Sequence, residues 1–577
     1  MGTTYRNENS QAADRLFTNG NIYLVDRECG WAESVAVKNG EIAYVGNISG
    51  GDAWVGPETE IIDLDGKMML PGFIDSHAHA SCTTNESASL EMFHLGSLEA
   101  YLEAIGAFAA DHPEHEVIYG SGWHNDLFPP TGPVKADLDA VVSDRPVCLM
   151  SADGHFNWVN SKAIQMAGIT KDTVCPAGGK IEKDPRTGKP SGTFRETARD
   201  LIQNVLPPFT VDQVKGSLRN FMQEAARVGI TTVHDPLLIL PEAEGQLNGF
   251  GTGRNNIQAY TEMARDGELT LRVRGTVLTD PTLDADQVRF IKSACEQQED
   301  PLFRMTGIKV FVDGVVEGAT AFLLEPYAHM PDTCGEPLWD LDNLKSLFAA
   351  ADKERLQIHI HAIGDAAIRM SLDALAYARN VNGVSDSRHL ITHLHIIDRA
   401  DIPRMATLNV IGVPQPFWFV KGDYFHNLEA RYLGLERAEK EYPMKSLADA
   451  GILLAGASDY PVQVPSPPLL GIMLGVTRCE PGETDPDEIL GPEERMTLAE
   501  MIDSFTINGA RANFLERETG SIEVGKKADM VVLENNLFDI PTAEIANTKV
   551  VMTLFEGKTV YRDAALLNSQ SRKHEIG

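Results

Sequence analysis

A chain of 577 residues with 43% apolar and 23% charged content has the composition of an ordinary globular protein, and it is too long for one simple core, so a large domain with a smaller companion is expected. Its formal net charge of −33 opposes phosphate backbones and anionic lipid, which excludes nucleic acid and membranes from the expected partners and leaves a small-molecule substrate. No apolar run reaches the ~18 residues needed to cross a bilayer, and seven scattered cysteines without a Cys-x-x-Cys pair exclude a zinc-finger or thioredoxin-like design and fit reduced thiols.

Residues 1–14 are polar and read as a disordered tail. They lack the apolar core of a secretion signal, and Arg6 does not fit the myristoylation pattern after Met-Gly, so the default location is cytoplasmic. Residues 15–70 look all-β. Phe17 to Val25, Ser34 to Val37, Glu41 to Val45 and Ile61 to Leu64 are short β-branched and apolar runs, with Asn39-Gly40 as a hairpin turn between two of them. Residues 516–577 have the same texture, with a strand at Ala528 to Leu533 and a hairpin from Thr548 to Arg562. Each terminal segment is too small for a core of its own, so the two are expected to pack as one β-sandwich.

Between them, over 71–515, short β-rich runs alternate with helical patterns. The strands expected are Phe73–His77, Thr231–His234, Leu271–Val277, Gly307–Val312, Gln357–His361, Leu390–His393, Val410–Val413 and Ile452–Ala455. Helices are expected at Thr210–Val228, Asp284–Gln298, Asp342–Glu354 and Ala366–Asn380. Eight β/α alternations predict an α/β protein built on a (β/α)8 TIM-type barrel. An open doubly wound sheet is the competing fold, but no Gly-x-Gly-x-x-Gly follows an early strand. The interval 81–228 is far too long for one crossover and reads as an inserted subdomain, with strands near Val117–Ser121 and Val147–Ser151.

Barrel enzymes carry their chemistry at the C-terminal ends of strands. The first such end is Ile74-Asp75-Ser76-His77-Ala78-His79. Side chains at i and i+2 on a strand share a side, so two imidazoles stand together where a metal can take them. Later ends supply His234 and Asp235, Lys309 and Asp313, His359 and His361, His393 and His395, and Ser458-Asp459. Seven of the 16 histidines fall in this set. Converging histidines with a carboxylate suit a hydrolytic metal, which lowers the pKa of bound water toward ~7 and polarises a carbonyl. Cys82, close behind the first pair, is either pocket-lining or a small buried residue.

Leu70 to His79 is similar to the first-strand signature of the amidohydrolase superfamily. Further segments resemble its amidohydrolase-3 branch, the N-substituted formamide deformylase-like hydrolases. They are Gly122-Trp123, Asp153-Gly154-His155, Gly229 to Asp235, Lys309 to Gly314, His361-Ala362-Ile363-Gly364-Asp365, Pro414-Gln415-Pro416, Ser458 to Pro461 and Gly525 to Asp529, in family order along the chain. The resemblance implies the barrel with a terminal β-sandwich, and one or two divalent metal ions, zinc first and iron, manganese or nickel as alternatives. It implies that His77, His79 and Asp459 hold one ion, and that His361 and His393 hold a second. Lys309 matches the lysine that reacts with CO₂ in two-metal members to give a bridging carbamate; its plainer role is pairing with Asp313. Asp459 is also implied as general base, with a helix cap as the plainer role.

His155 in the insert is implied to contact substrate or the developing oxyanion, with an ordinary turn residue as the alternative. Trp123, His124, Phe417 and Trp418 are candidate pocket walls. Two departures stand out. The family's sixth-strand histidine is usually preceded by an acid and followed by Ala-Gln, whereas this chain has Thr392-His393-Leu394-His395. Either histidine shares the face, and the motif favours His393; the same ambiguity between His359 and His361 is resolved by the motif toward His361. The function expected is hydrolysis of an amide, N-acyl or N-formyl C–N bond by a metal-activated hydroxide. The alternative is a mononuclear deaminase of an aromatic amine or nucleobase. Deaminases of the superfamily place Glu three residues after the fifth-strand histidine, where this chain has Gly364. A non-catalytic scaffold is the third reading, and a homodimer is the base-rate assembly.

Overall fold

The computed structural model describes residues 12–26, 30–82, 89–176, 178–240, 255–298, 300–463 and 466–564. Most of the expected N-terminal tail lies outside them. At the centre is a curled parallel sheet of seven strands: β1 (Phe73–Asp75), β2 (Ile230–Leu238), β3 (Arg272–Leu278), β4 (Phe303–Phe311), β5 (Gln357–Ala362), β6 (Leu390–His393) and β7 (Ile411–Val413). They pair in sequence order, each with the next. β2, β3 and β5 are buried at every residue, as strands covered on both faces must be. In β5, Gln357, His359 and His361 alternate with Ile358 and Ile360, so one face is polar and the other packs on helices.

The expected eighth strand is present only as a bridge between Gly412 and Leu454. Its amides explain why. Ala455 N–H reaches Gly412 O at 2.9 Å, but Gly456 N–H turns to Ser504 O at 2.9 Å, and Phe505 O takes the Ile74 N–H of β1 at 2.7 Å. The 504–505 segment thus wedges between the eighth position and β1. The remaining ties run at the mouth, where Ser76 N–H donates to Gly456 O at 3.1 Å and Asp459 N–H to His77 O at 2.8 Å.

The outer helices start and stop as the sequence directs. Val211–Arg227 is opened by a capping box between Thr210 and Gln213, and buries Val214, Leu218, Phe221, Met222 and Ala225 along one face. Asp365–Asn382 ends at Gly383, whose φ of 87° no β-carbon tolerates well.

Both chain termini build two further sheets around a common core. One has Glu41–Gly46, Ser34–Lys38, Arg15–Thr18 and Glu60–Asp63; the other runs Lys558–Arg562, Val550–Phe555, Met530–Leu533, Met68–Pro71, Asn21–Tyr23 and Trp31–Ala32. Phe17, Val35, Ile42, Leu64, Val532, Val551 and Leu554 share that core. Asn39 and Gly40 have φ of 51° and 80°, as a tight two-residue hairpin needs. The buried pair Arg272–Asp529 at 2.7 Å ties β3 to this layer. The insert carries a sheet of its own, six strands from Leu90 to Arg195, including Ile118–Trp123 and Val147–Ser151. Among the described residues no helix is long and apolar enough to cross a membrane.

Candidate active site

The C-terminal mouth of the curled sheet gathers the expected residues into one buried cluster. His77 and His79 both place Nε2 against a single oxygen of Asp459, at 3.2 and 3.1 Å. His77 Nε2 and Asp459 Oδ1 lack hydrogen-bond geometry despite burial, so lone pairs converge on a point between them rather than along a donor axis. Asp459 has φ of 60°, a strained conformation for a residue with a β-carbon, of the kind that survives where surroundings over-determine it. What over-determines it is Asp75, whose carboxylate accepts Ser458 N–H at 3.0 Å and Ser458 Oγ–H at 2.5 Å. Burial favours the neutral acid at Asp459, but His79, His393 and Lys309 outweigh it and hold the carboxyl below its ordinary range. The helix-cap role is not what the site shows.

Behind His77 runs a directional ladder of rings. Asn513 donates its amide to Gly509 O at 2.9 Å, which leaves Oδ1 to accept from His234 Nδ1 at 2.7 Å. His234 Nε2 must then accept from His359 Nδ1 at 3.2 Å, and His359 Nε2 from His77 Nδ1 at 2.7 Å. Burial holds all three rings neutral, His234 down to about 4 and His77 and His359 well below the usual histidine value. The ladder therefore sets the His77 tautomer and turns its Nε2 lone pair toward Asp459. Both His359 nitrogens are thus taken up by His234 and His77. Asn513→Leu removes the anchor acceptor and is expected to weaken metal affinity by about 10- to 100-fold, as loss of an outer partner does; chelator competition reads it, and unchanged affinity would refute the ladder.

His393 has φ of 73° and Leu394 of 53°. His393 Nδ1 donates to Gln415 Oε1 at 3.0 Å, so Nε2 is free to face His77 and Asp459, with which it forms a group able to hold a metal ion. The two left-handed residues break the strand alternation, and His395 turns to Glu429 and Glu441 instead, at 3.2 and 3.0 Å. The shared face expected for His393 and His395 is thereby corrected. His361 lies ring to ring with His393 at 4.5 Å, although its Nε2 is 3.2 Å from Gly314 O.

Lys309 ends in a fully buried ammonium position with no hydrogen-bond partner. The pairing with Asp313 does not form, because Asp313 accepts the backbone N–H groups of Phe322, Ile363 and Gly364 at 2.9, 3.0 and 2.9 Å. Burial lowers Lys309 to about 7. Its charge is felt by His77, His361, His393 and Asp459, which places it among them.

His77, His79, His361, His393 and Asp459 line a cavity of about 470 Å³. The insert closes it: His155 lies 5.6 Å ring to ring from His361 and donates from Nδ1 to Glu196 Oε2 at 2.8 Å. Burial disfavours its imidazolium, but Glu196 and Asp153 outweigh that and raise its pKa. Phe417, Trp418 and His124 line the cavity, and Trp418 stacks on His393 at 5.7 Å. Trp123 does not. Its indole N–H donates to Leu149 O at 3.0 Å within the insert's core, packed on Trp158 and Phe128. The side chain of Cys82 is outside the described residues. The orphaned His77 Nε2 and Asp459 Oδ1 fit a metal: a nitrogen and a carboxylate donor, buried, with no other use for their lone pairs.

Residues 60–561 match the amidohydrolase family profile. The chain belongs to the amidohydrolase family. This amidohydrolase is a metal-dependent hydrolase acting on carbon–nitrogen bonds. It is 30% identical over 550 residues, 95% of this chain and 92% of the relative, to LONG AFTER FAR-RED 3 of Arabidopsis thaliana. It is 28% identical over 564 residues, 96% and 99% of the two chains, to N-substituted formamide deformylase of Arthrobacter pascens. The fold is that of an uncharacterized metal-dependent hydrolase from Pyrococcus horikoshii, with a TM-score of 0.71 at 21% identity, covering 92% of the amidohydrolase and 99% of the archaeal chain.

Sequence reasoning missed Glu196, Asn513, Glu429 and Glu441. Each sits on an element remote from the strand ends, and no spacing announces it. Gln415 lay inside a quoted motif without a role; its carbonyl oxygen fixes the His393 tautomer.

Proposed function

We propose that the chain hydrolyses an amide, N-acyl or N-formyl C–N bond of a small molecule, with His77, His79, Lys309, His361, His393 and Asp459 holding one or two divalent ions, zinc first. The single observation that carries this is the convergence of His77 and His79 on one Asp459 oxygen, with His77 Nε2 and that oxygen both buried without a hydrogen bond. The relative named for deformylating N-substituted formamides supports the bond class. The same reading takes 71–515 as a (β/α)8 barrel with an insertion at about 81–228, and 15–70 with 516–577 as one β-sandwich.

Metal bound there supplies a water of pKa near ~7 and polarises the scissile carbonyl. Asp459, held ionised by His79, His393 and Lys309, accepts a proton at its carboxylate and returns it to the departing nitrogen. His155, whose imidazolium form Glu196 favours against burial, offers Nε2–H toward the carbonyl oxygen as charge grows there. Phe417 and Trp418 exclude water from one wall and orient the substrate. Lys309, lowered to about 7 and without a hydrogen-bond partner, has a share of neutral amine near pH 7, and that form can add CO₂ and lose a proton to give an anionic carbamate. A deaminase would need an acid where Gly364 stands; the adjacent Asp365 is committed to the Leu324 N–H at 2.8 Å.

The test is a panel of N-formyl and N-acyl amines assayed for released amine, with and without a chelator. Chelator-sensitive amine release supports the reading; ammonia release from aminopurines, with the amides untouched, refutes it. A second expectation concerns pH. Glu196→Gln removes what raises His155, leaving burial to lower it. The alkaline limb of kcat/KM should move to lower pH, and an unmoved limb would remove His155 from catalysis.

A further inference from the structure

Beside the catalytic cluster, three further buried side chains converge and have no assigned use. His395 Nε2 lies 3.2 Å from Glu429 Oε1 and 3.0 Å from Glu441 Oε1. As with His77 and Asp459, these short approaches lack hydrogen-bond geometry: His395 Nε2 and both oxygens of Glu441 are buried with no hydrogen-bond partner. One imidazole N–H cannot satisfy two carboxylates, and a lone Glu441 oxygen buried without a donor is costly. Ligands ~2.1 Å from an ion lie ~3.0 Å apart at a right angle and ~3.4 Å apart in a tetrahedron; the two observed separations fit that spacing, and all three ligand atoms lie within 4.8 Å of one another.

The backbone gives independent support, because the chain is distorted at each ligand. His395 follows the left-handed His393 and Leu394. Glu429 closes a π-helical turn, Phe425–Glu429, an irregularity that re-aims side chains and clusters at functional sites. Glu441 precedes Tyr442, which is left-handed with φ of 51°. That strain is held by the fully buried Arg478, which donates to Glu441 O and Tyr442 O at 3.1 Å each. Strain of this kind costs about 1–3 kcal/mol per residue and persists where function demands it.

We infer that His395, Glu429 and Glu441 form a second metal centre, separate from the catalytic one, that binds a divalent transition ion such as Zn²⁺ or Mn²⁺. One imidazole and two carboxylates suit such ions. The centre fastens the 425–442 segment, which carries part of the cavity wall through Glu429 and Tyr442, to the end of β6. An ammonium group on a substrate is a poorer occupant, because the three atoms stand too close to surround one and the imidazole offers it only one lone pair.

The experiment is an anomalous difference map at the zinc edge from wild-type crystals grown with excess Zn²⁺, beside Glu441→Gln, with Glu429→Gln as a second variant should the first not fold. The expected result is one peak against His395 and another against His77 and His79. The variant should lose the first alone and bind one equivalent less zinc per chain in equilibrium dialysis. A wild-type map with the His77 peak filled and nothing at His395 overturns the inference and leaves a histidinium between two carboxylates. A peak at His395 without one at His77 leaves the inference standing and sinks the hydrolase reading instead.

Discussion

Asp459→Asn is expected to lower kcat/KM on an N-acyl or N-formyl substrate by ~10⁴-fold or more, with the fold intact. General-base assistance alone is worth about 10²- to 10⁴-fold, and Asp459 is also the carboxylate on which His77 and His79 converge. The amide keeps the size and the positive-φ backbone of the site but neither accepts the proton nor balances the charge of a bound ion. Metal content should fall together with activity. A variant retaining more than a tenth of wild-type kcat/KM would show that Asp459 is a structural turn residue and that the proton goes elsewhere.

Lys309→Ala is expected to abolish activity, and short-chain carboxylic acids should restore part of it by supplying the anion that a carbamate would. Rescue by amines instead, or retained activity, would contradict the bridging role. The same residue yields a stability prediction with a defined sign. Its folded pKa of about 7 lies below the ordinary 10.5, so between those values the unfolded chain binds the proton that the folded chain has lost. The cost of the buried amine is therefore complete below pH 7 and disappears as pH rises toward 10.5. At ~1.4 kcal/mol per unit, Lys309→Met should stabilise metal-free protein by a few kcal/mol at pH 6 and by far less at pH 10. Urea midpoints at the two pH values measure it. An equal effect at both would mean that the amine is not desolvated as its surroundings indicate.

The parts of this site that a sequence can announce are those fixed by local periodicity. His77 and His79 come just beyond the apolar strand Phe73–Asp75, and β5 places His359 and His361 on one face by simple alternation. Seven strands lie within a few residues of where alternation and β-branched content put them. The eighth is only a bridge because Ser504–Phe505, far along the chain, competes for its amides. The sixth strand misleads for a different reason. An i, i+2 rule assumes extended backbone, and His393 and Leu394 are left-handed without a glycine to signal it. Trp123 shows the limit of aromatic patterning: the motif marks an important residue, but whether it faces the cavity or the insert's own core depends on packing with Trp158 and Phe128. Glu196, Asn513, Glu429 and Glu441 matter through partners on other elements, and tertiary pairing of that kind leaves no trace in spacing.

Residues 153–196 shape one side of the cavity. His155 reaches the strand ends only because Asp153 holds the turn before it, accepting His155 N–H at 2.8 Å, and because Glu196 meets both His155 and the Thr320 hydroxyl at 2.8 Å. This side of the cavity thus rests on contacts between residues 153–196 and the loop after β4.

The most direct measurement of the central claim is the metal content of the purified protein, read with amide hydrolysis before and after stripping and reloading. At least one equivalent of transition metal per chain is expected, with loss of amine release when the metal is removed and its return on adding zinc. Less than about half an equivalent in protein that still releases amine would contradict it.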